Sequence, residues 1–359
     1  MISIPRGFIL LPVDCDDLYE VSNAPLIKFS SGKAKAVTFE ELIQKSYYGG
    51  VRQALRQKLH RDIVEGDEYL VPLDFNTVLE QRIEWALSNK EINKGKFDDR
   101  KLRFSGYDKR DNNICLYLGP SHFEEHAATN IKSISDLSFR EELLKKGVRD
   151  YGDQFAYFAD NLALNCVVLT SEQDGSERVL IGKRSAQQRS YPGFWHNIGG
   201  FADSKDIFPL LQANDSDGIR SALGAAMKKE LLEEAAIADN DLVSIKEIGV
   251  SYGWNSFDIN YIAKITSPAD YVCTKGHFKS KDKEEHSGFI STTFEDHVAV
   301  LAGDSIFDSK DGVIKRPADA APSDVVPIGL GGLLIYIGQR DEESLHRILS
   351  SPQYRGLRK

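Results

Sequence analysis

The chain has 359 residues, with 45 basic and 54 acidic side chains and a formal net charge of -9. Hydrophobic residues make up 41% and aromatic residues 10%, a composition that excludes a disordered chain and is typical of a folded soluble protein. The negative charge argues against a general nucleic-acid or membrane-surface binder, because its long-range field repels phosphates. The length predicts two domains, residues 1–150 and residues 151–359, and the acid excess lies almost entirely in the second.

Cysteine usage and the apolar segments predict a cytoplasmic protein without a membrane span. The four cysteines are too far apart to form a CxxC pair or a zinc cluster, which fits a reducing compartment. The first 17 residues have only a short apolar run that ends in acidic residues, so they predict a strand rather than a signal peptide. The longest apolar stretch, Val325 to Gly338, is too short and too rich in glycine to span a bilayer.

The first half of the chain predicts an N-terminal α+β domain whose role the sequence does not reveal. In chain order, the predicted elements are strands at 8–13 and 36–38, helices at 39–59 and 77–87, a hairpin of 101–107 with 114–118, and a helix at 137–146 that ends at Gly147. No recognisable catalytic motif occurs among them.

The second half predicts an α/β domain. Strands are expected at 162–170, 178–183, 242–252, 257–265 and 288–292, and helices at 218–237, 294–301 and 342–349. Asp215, Ser216 and Asp217 are candidate caps for the first of these helices. The Asp- and Pro-rich stretch from Gly303 to Asp324 predicts a long loop.

The acidic helix segment AAMKKELLEEAAI, residues 225–237, carries the most chemistry. At 100° per residue, Glu230 and Glu234 lie on the same side as the apolar stripe, whereas Glu233 lies further toward water. The stripe consists of Ile219, Leu223, Met227 and Leu231. Carboxylates on a core-facing stripe are costly unless they are paired or bind a cation, and Mg²⁺ and Mn²⁺ prefer such oxygen ligands.

Two simpler interpretations of these acids compete with a metal site. Glu is a good helix former, so the run can be a solvated helix face. A salt-bridged face is disfavoured, because Glu230 and Glu234 have no basic partner at i,i+4 on their side and Lys229 with Glu233 has the weaker orientation.

The order of strand, PGFW, Gly199-Gly200, loop and KELLEEAAI resembles the Nudix hydrolase family over about residues 155–300. The family signature places a Gly fifteen residues before the first Glu of an Arg-Glu-apolar-x-Glu-Glu-x-Gly-apolar run. Here that run is matched by Glu230, Leu231, Glu233, Glu234 and Ile237. Gly200 corresponds to the opening Gly, although it precedes the run by about 15 more residues than in the family.

This chain departs from the family pattern at three places. No Glu occurs between Gly200 and Glu230, so the first signature Glu is missing, and the candidates to replace it are Asp203, Asp206, Asp215 and Asp217. Lys229 replaces an Arg and cannot make the bidentate contact that Arg makes to a carboxylate. Ala236 replaces a Gly, which a helix end tolerates if φ stays negative.

The resemblance implies a Nudix-like α/β/α sandwich around a mixed sheet and a site for Mg²⁺ or Mn²⁺. Glu230, Glu233 and Glu234 would be the catalytic acids, with Glu230 and Glu234 as metal ligands and Glu233 as a ligand or orienting group. The Gly200 carbonyl would be a further ligand. Glu285 is the candidate carboxylate from outside the helix, with an ordinary solvated loop around Glu284 and Glu285 as the alternative.

Several other residues are candidates for substrate contacts. The segment SYPGFWHNIGG, residues 190–200, forms a Gly-rich loop. Arg184 and Arg189 lie beside this loop and are candidate phosphate contacts, with surface solvation as the alternative. Trp195 is a candidate for stacking on a base, with packing in the core as the alternative. His196 is a conceivable base. The polar cluster at 121–130 predicts caps and interdomain contacts or part of a lid, and GLGG at 329–332 is too short for a phosphate-binding fingerprint.

These features predict a metal-dependent, Nudix-type pyrophosphohydrolase that cleaves a nucleoside diphosphate linked to another group. The long loop and the N-terminal extension also resemble the Nudix proteins that split UDP-sugars, which makes nucleotide sugars a narrower substrate class. The alternative is a Nudix-like nucleotide-binding or sensing module without catalysis. We expect a small-molecule partner and neither a nucleic acid nor a membrane, and the oligomeric state stays open.

Overall fold

The computed structural model describes residues 100–110, 113–151 and 158–352, together with 9–10, 18–22, 26–31, 36–37 and 69–70. Within the last of the long ranges, residues 173, 189, 206, 208, 211–212, 214, 254–256, 277–278 and 280–283 are not described. The helices expected at 39–59 and 77–87 therefore lie outside the described residues.

The described strands and helices follow the predicted order in the second half. The strands are β1 (Ile9–Leu10), β2 (Leu18–Ser22), β3 (Leu26–Ser31), β4 (Ala36–Val37), β5 (Tyr69–Leu70), β6 (Arg100–Arg110), β7 (Asn113–His122), β8 (Leu162–Ser171), β9 (Glu177–Arg184), β10 (Trp195–His196), β11 (Ile198–Phe201), β12 (Leu242–Gly253), β13 (Phe257–Ile265), β14 (His286–Thr292), β15 (Ser305–Asp308) and β16 (Gly312–Lys315). The helices are α1 (Phe123–His126), α2 (Lys132–Ser135), α3 (Leu137–Tyr151), α4 (Ser216–Ala235), α5 (Ala269–Tyr271), α6 (Phe294–Ala302), α7 (Pro327–Arg340) and α8 (Glu342–Ser350). Wider π-helical turns cover Ala127–Ile131 and Val272–Gly276, and a 3₁₀ turn covers Asp239–Asp241.

A mixed sheet forms the centre of the described chain, in the strand order β1-β2-β12-β13-β8-β9-β10, with β11 beside β8 and β14 beside β9. The central pair β8 and β13 is parallel over its whole length. The hairpins β8/β9 and β12/β13 are antiparallel. This topology brings the ends of β9, β11 and β14 close to one another on one side of β8, and the candidate site lies there.

Both faces of this sheet are covered, as alternate residues of β8 show. Leu164, Cys166 and Val168 belong to the buried cluster that contains the apolar stripe of α4. Val167 and Leu169 belong to a second cluster with α6, α7 and α8. Since successive side chains of a strand point to opposite faces, the helices lie on opposite sides of the sheet. The predicted α/β/α sandwich around a mixed sheet is therefore confirmed.

The first half contributes strands and helices, as predicted for an α+β region. Strands β6 and β7 form the expected hairpin, and β3 pairs with β7 in parallel. The buried residues Leu102, Phe104 and Leu118, with Phe139 and Leu143 of α3, belong to the same cluster as the α4 face of the sheet. Residues 100–151 thus share a core with the second half, and a domain division at residue 150 stays a prediction.

Two predicted segments differ from the structure. Helix α3 continues through Gly147 to Tyr151, because a single glycine lowers helix stability without ending a helix that packs on a core. The expected loop 303–324 contains the hairpin of β15 and β16. Its turn is held by the Asp308 carboxylate, which accepts hydrogen bonds from the backbone amides of Lys310 and Asp311, both at 2.8 Å.

The apolar stretch 325–338 forms most of α7, which packs on the sheet. Its glycines permit a close approach, since a Cβ on Gly332 would lie 2.3 Å from the side-chain amide of Asn165. Within the part of the chain that the structure describes, no helix has the length and apolarity needed to cross a membrane.

Helix α4, which carries the three candidate acids, is fixed at both ends. Its N-terminus is capped by Asp215, whose carboxylate accepts a 2.9 Å hydrogen bond from the Gly218 amide. At its C-terminus, Ala236 adopts a left-handed conformation with φ of 53°, so the condition of a negative φ, under which a helix end tolerates alanine in place of glycine, is not met. The left-handed residue lets the Ile237 amide turn back and donate to the Leu231 carbonyl at 3.1 Å.

Candidate functional site

Glu230 lies directly against the backbone of Gly200. Strand β11 holds Gly199 opposite Asn165 and Gly200 opposite Leu164, so the Gly-Gly pair is part of the sheet. A Cβ on Gly200 would lie 2.7 Å from the carboxylate carbon of Glu230. Only a glycine permits this contact, which brings together the two parts of the predicted motif despite the long loop between them.

Glu234 lies one turn further along α4 and is buried, with 2% of its surface exposed. Its Oε2 atom is 2.8 Å from Nε2 of His286, a residue at the start of β14 that is also 2% exposed. Burial, followed by the nearby Arg184 charge, lowers the pKa of His286 to about 4. The imidazole is therefore neutral near pH 7, and it can donate Nε2–H to the carboxylate.

The candidate acids are close enough to influence one another electrostatically. Burial and then the charges of Glu234, Glu285 and Glu233 raise the pKa of Glu230 to about 8, and Lys229 opposes this shift only weakly. A cation at this point would relieve the repulsion. In their present conformations, however, no group of three or more His, Cys, Asp or Glu side chains among the described residues is arranged to coordinate a metal ion.

Arg184, at the end of β9, interacts electrostatically with two of these acids, Glu285 and Glu234. Burial lowers the pKa of its guanidinium, whereas the charges of Glu285 and Glu234 act in the opposite direction. Its Nε donates to the Ser190 carbonyl at 3.1 Å, and Nη2 donates to Oε1 of Gln188 at 3.2 Å. These bonds hold the guanidinium between the Gly-rich loop and the acids.

Glu233 lies at the edge of this cluster, with 15% of its side chain exposed. Lys229 Nζ is 3.6 Å from its Oε2 atom. The i,i+4 pair of Lys229 and Glu233 therefore forms despite its weaker orientation. Glu230 does not take part in it and is directed at Gly200.

Trp195, a candidate for stacking on a base, lies in the core instead. Only 4% of it is exposed, and its ring centroid is 5.2 Å from that of Phe307. Its neighbour His196 is also buried, and burial with the charges of Arg184 and His286 lowers its pKa well below the usual range. In this arrangement Trp195 has no accessible face to offer a ligand.

The carboxylates considered as replacements for the missing signature Glu have other partners. Asp203 pairs with Lys101, Asp215 caps α4, and Asp217 lies 3.1 Å from Arg220. Asp206 and the predicted phosphate contact Arg189 lie outside the described residues. The described acids thus give no substitute for the missing Glu beside Glu230.

The polar cluster at 121–130 has a structural role where its side chains are described. Asn130 is fully buried, and its amide donates to Oδ1 of Asp160 at 2.9 Å while its carbonyl accepts from the backbone amides of Ala159 and Asp160. Asp160 has a positive φ of 40° directly before β8. Asn130 therefore holds the entry into the central strand, which agrees with the predicted contact role.

His286 is the site residue that sequence reasoning missed. The strand was predicted from residue 288 onward, which left His286 in a polar loop, whereas β14 begins at His286 itself. The one available signal in the sequence is that the acidic pair Glu284-Glu285 directly precedes this histidine, which places three potential ligand side chains side by side.

No protein-family model and no curated protein sequence matches the chain. Similar solved structures include an Ap4A hydrolase from C. elegans (18% identity, 38% of this chain and 83% of that chain, TM-score 0.26). Others are the NUDIX domain of Shewanella oneidensis NrtR complexed with ADP ribose (15%, 55% and 97%, 0.27) and a MutT/nudix family protein from Enterococcus faecalis (14%, 65% and 78%, 0.29). Similarities of this size establish neither the family nor the activity of this chain.

Proposed function

We propose that this protein is a divalent-metal-dependent hydrolase that cleaves the pyrophosphate of a nucleoside diphosphate linked to another group. The observation that carries the proposal is the contact of the Glu230 carboxylate with the backbone of Gly200, beside the buried Glu234. A buried and a partly buried carboxylate this close together are costly in free energy, and a bound cation would lower that cost. The contact also coincides with the two halves of the Nudix-like motif.

The donor set fits Mg²⁺ or Mn²⁺. Glu230, Glu234 and Glu285 would supply carboxylate oxygens, and Gly200 would supply a carbonyl oxygen, all of them hard ligands. The raised pKa of Glu230 supports this assignment, since crowded carboxylates hold protons for the same reason that they bind cations. When bound, the metal neutralises phosphate oxygens and lowers the pKa of an attacking water.

The remaining residues would bind and orient the substrate. Arg184 carries a positive charge beside the acids and is partly exposed, which supports a contact with a phosphate oxygen. Glu233, at the edge of the cluster and paired with Lys229, would orient a ligand or accept a proton from water. In the reaction, water oxygen bonds to one phosphorus, the bridging P–O bond breaks, and the water proton is released to solvent or to a carboxylate.

A panel assay tests this function. The purified protein is incubated with nucleotide sugars, dinucleoside polyphosphates, ADP-ribose and NADH, with Mg²⁺ or Mn²⁺ and with EDTA as the metal-free control. We expect turnover of at least one compound that requires the metal and falls by orders of magnitude in Glu234→Gln. Absence of turnover of every compound, with an authentic Nudix enzyme active in parallel, would overturn the enzymatic proposal.

A matched pair of variants separates the site from general charge effects. Glu285 is partly buried near Arg184, whereas its neighbour Glu284 is exposed. Glu285→Gln and Glu284→Gln remove the same charge one residue apart. We expect turnover to fall in Glu285→Gln and to stay within about twofold in Glu284→Gln, because solvent and salt screen the charge of an exposed carboxylate.

A nucleotide-binding module without turnover is the second candidate function. It is favoured by one observation: Asp203, Asp215 and Asp217 are engaged elsewhere, so the described acids do not replace the missing signature Glu. This candidate predicts thermal stabilisation by a nucleoside diphosphate derivative, with no product formed in the same sample. Metal-dependent product formation would exclude it.

A further inference from the structure

We propose that His286 is a positioning residue that fixes the carboxylate of Glu234 for cation binding. The inference rests on the proposed function, because it assigns a role within the same metal site. It is carried by three features of the described chain: a buried hydrogen bond, a bulge in β14 and a close approach at Gly182.

The hydrogen bond joins two buried side chains from different elements of the fold. Nε2 of His286 on β14 lies 2.8 Å from Oε2 of Glu234 on α4. A carboxylate accepts hydrogen bonds only, so the ring donates from Nε2. This bond fixes one oxygen of Glu234 and thereby the orientation of the carboxylate plane.

The bulge in β14 directs His286 toward α4. Phe289 pairs with Gly182 and Gly288 with Lys183, but His286 pairs with Arg184, so Ser287 is an extra residue in the ladder. Phe289 belongs to the cluster on the α4 face of the sheet. Without the extra residue, alternation would direct His286 to the opposite face, away from Glu234. Bulges that re-aim a side chain in this way are common next to functional sites.

Gly182 makes room for the imidazole. A Cβ at this position would lie 2.3 Å from Nδ1 and 2.8 Å from Cε1 of His286. The ring of Phe289 lies beside the imidazole, with the ring centroids 4.7 Å apart, and its Cε1 would also lie 2.8 Å from a Cβ at position 182. Any larger residue at 182 would displace the imidazole ring. The glycine, the bulge and the hydrogen bond to Glu234 together therefore fix the position of the His286 side chain.

The direct test is Mn²⁺ binding by the full chain, measured by calorimetry and by EPR, with His286→Leu and His286→Gln. Leu removes the donor, and we expect Mn²⁺ affinity to fall about 10- to 100-fold, as for other groups that orient a metal ligand. Gln retains an N–H donor at a similar reach, so it should recover most of the affinity. A purely structural role would not distinguish the two variants in this way.

A second measurement needs no metal. In ¹⁵N-labelled, metal-free protein, the nitrogen shifts of His286 should report the Nε2–H tautomer, and this preference should be lost in Glu234→Leu. An Nδ1–H tautomer in the wild type would overturn the inference, because the ring would then accept from Glu234 rather than hold it as a carboxylate.

Gly182→Ala provides the variant that leaves both site residues intact. Its added Cβ displaces the His286 ring, and with it the adjacent Phe289 ring, so Mn²⁺ affinity should fall although His286 and Glu234 are still present. If His286→Leu does not fold, the Mn²⁺ affinity of Gly182→Ala tests the role of His286 instead. Wild-type affinity in whichever variant is folded would overturn the role of His286 alone, whereas absence of Mn²⁺ binding by the wild type would overturn the proposed function and this inference together.

Discussion

The carboxylate of Glu230 lies against the backbone of Gly200, although the two residues are far apart in the sequence. Strand β11 brings the glycine to the surface of α4, and the absence of a side chain there lets the acid reach the backbone. The contact therefore depends on a glycine at this exact point of the sheet. It joins the two halves of the candidate metal site.

Gly200→Ala should impair the site more than the fold. Its Cβ would meet only the flexible end of the Glu230 side chain, so we expect the free energy of unfolding to change by less than about 1 kcal/mol. Mn²⁺ affinity should fall about tenfold, since the carboxylate must move. Chemical denaturation and calorimetric Mn²⁺ titration measure the two effects separately.

Gly199→Ala is the matched control, and its expected effect is the reverse. A Cβ at this position would lie 2.2 Å from the backbone carbonyl oxygen of Leu164, so two paired strands would have to separate. Overpacking of this kind destabilises by about 1–3 kcal/mol. Equal loss of stability in both variants, with Mn²⁺ binding unchanged in Gly200→Ala, would contradict the proposed role of the contact.

Ala236→Gly should stabilise the protein. Ala236 ends α4 with φ of 53°, a left-handed conformation that costs a non-glycine residue about 1 kcal/mol. We therefore expect the free energy of unfolding to rise by about that amount in urea denaturation. Ala225→Gly, in the exposed interior of the same helix, should lower it by about 1 kcal/mol. A loss of stability in both variants would show that the left-handed conformation is not strained.

The stability of the fold should fall in mild acid, and His297 is one cause. Its Nδ1 lies 2.6 Å from Oγ1 of Thr292, and burial lowers its pKa to about 4 from the usual 6.5. The unfolded chain thus binds the proton first as the pH drops, so stability is complete above about pH 6.5 and is lost toward pH 4. The difference of pKa corresponds to about 3 kcal/mol.

His297→Asn removes this titration while keeping a polar atom near Thr292. Denaturation curves between pH 4 and 7 should then show a pH slope smaller by about one proton, although His286 and His196 still contribute in the same direction. The variant will be less stable at pH 7 because a buried side chain becomes smaller. An unchanged slope would mean that His297 is not the group that titrates.

The elements that the sequence predicted well are those with a strong internal period. The α4 stripe placed Glu230 and Glu234 on the buried side, and the alternation in the sequences of β12 and β13 predicted those strands. The hairpin of β15 and β16 was missed because Asp and Pro dominate its composition, although Asp308 and Gly312 mark its turn. The composition of a segment indicates how exposed it is to solvent. It does not reveal a hairpin whose turn depends on single residues such as Asp308.

The site was predictable as far as its residues belong to one motif. Glu230, Glu234 and Gly200 follow from the motif, but His286 depends on a bulge in β14 that no hydrophobic pattern reveals. The left-handed conformation of Ala236 was not predictable from the sequence, because φ at a helix end depends on how the chain leaves the helix. Trp195 was ambiguous since an aromatic residue beside glycines suits both a core and a binding site.

The most direct test of the central claim is a crystal soaked in Mn²⁺ and measured at the manganese absorption edge. We predict an anomalous peak bounded by the carboxylates of Glu230 and Glu234 and the Gly200 carbonyl, and its loss in crystals of Glu234→Gln. Absence of a peak among these three residues in well-diffracting crystals, at Mn²⁺ concentrations that saturate an authentic Nudix enzyme, would contradict the account.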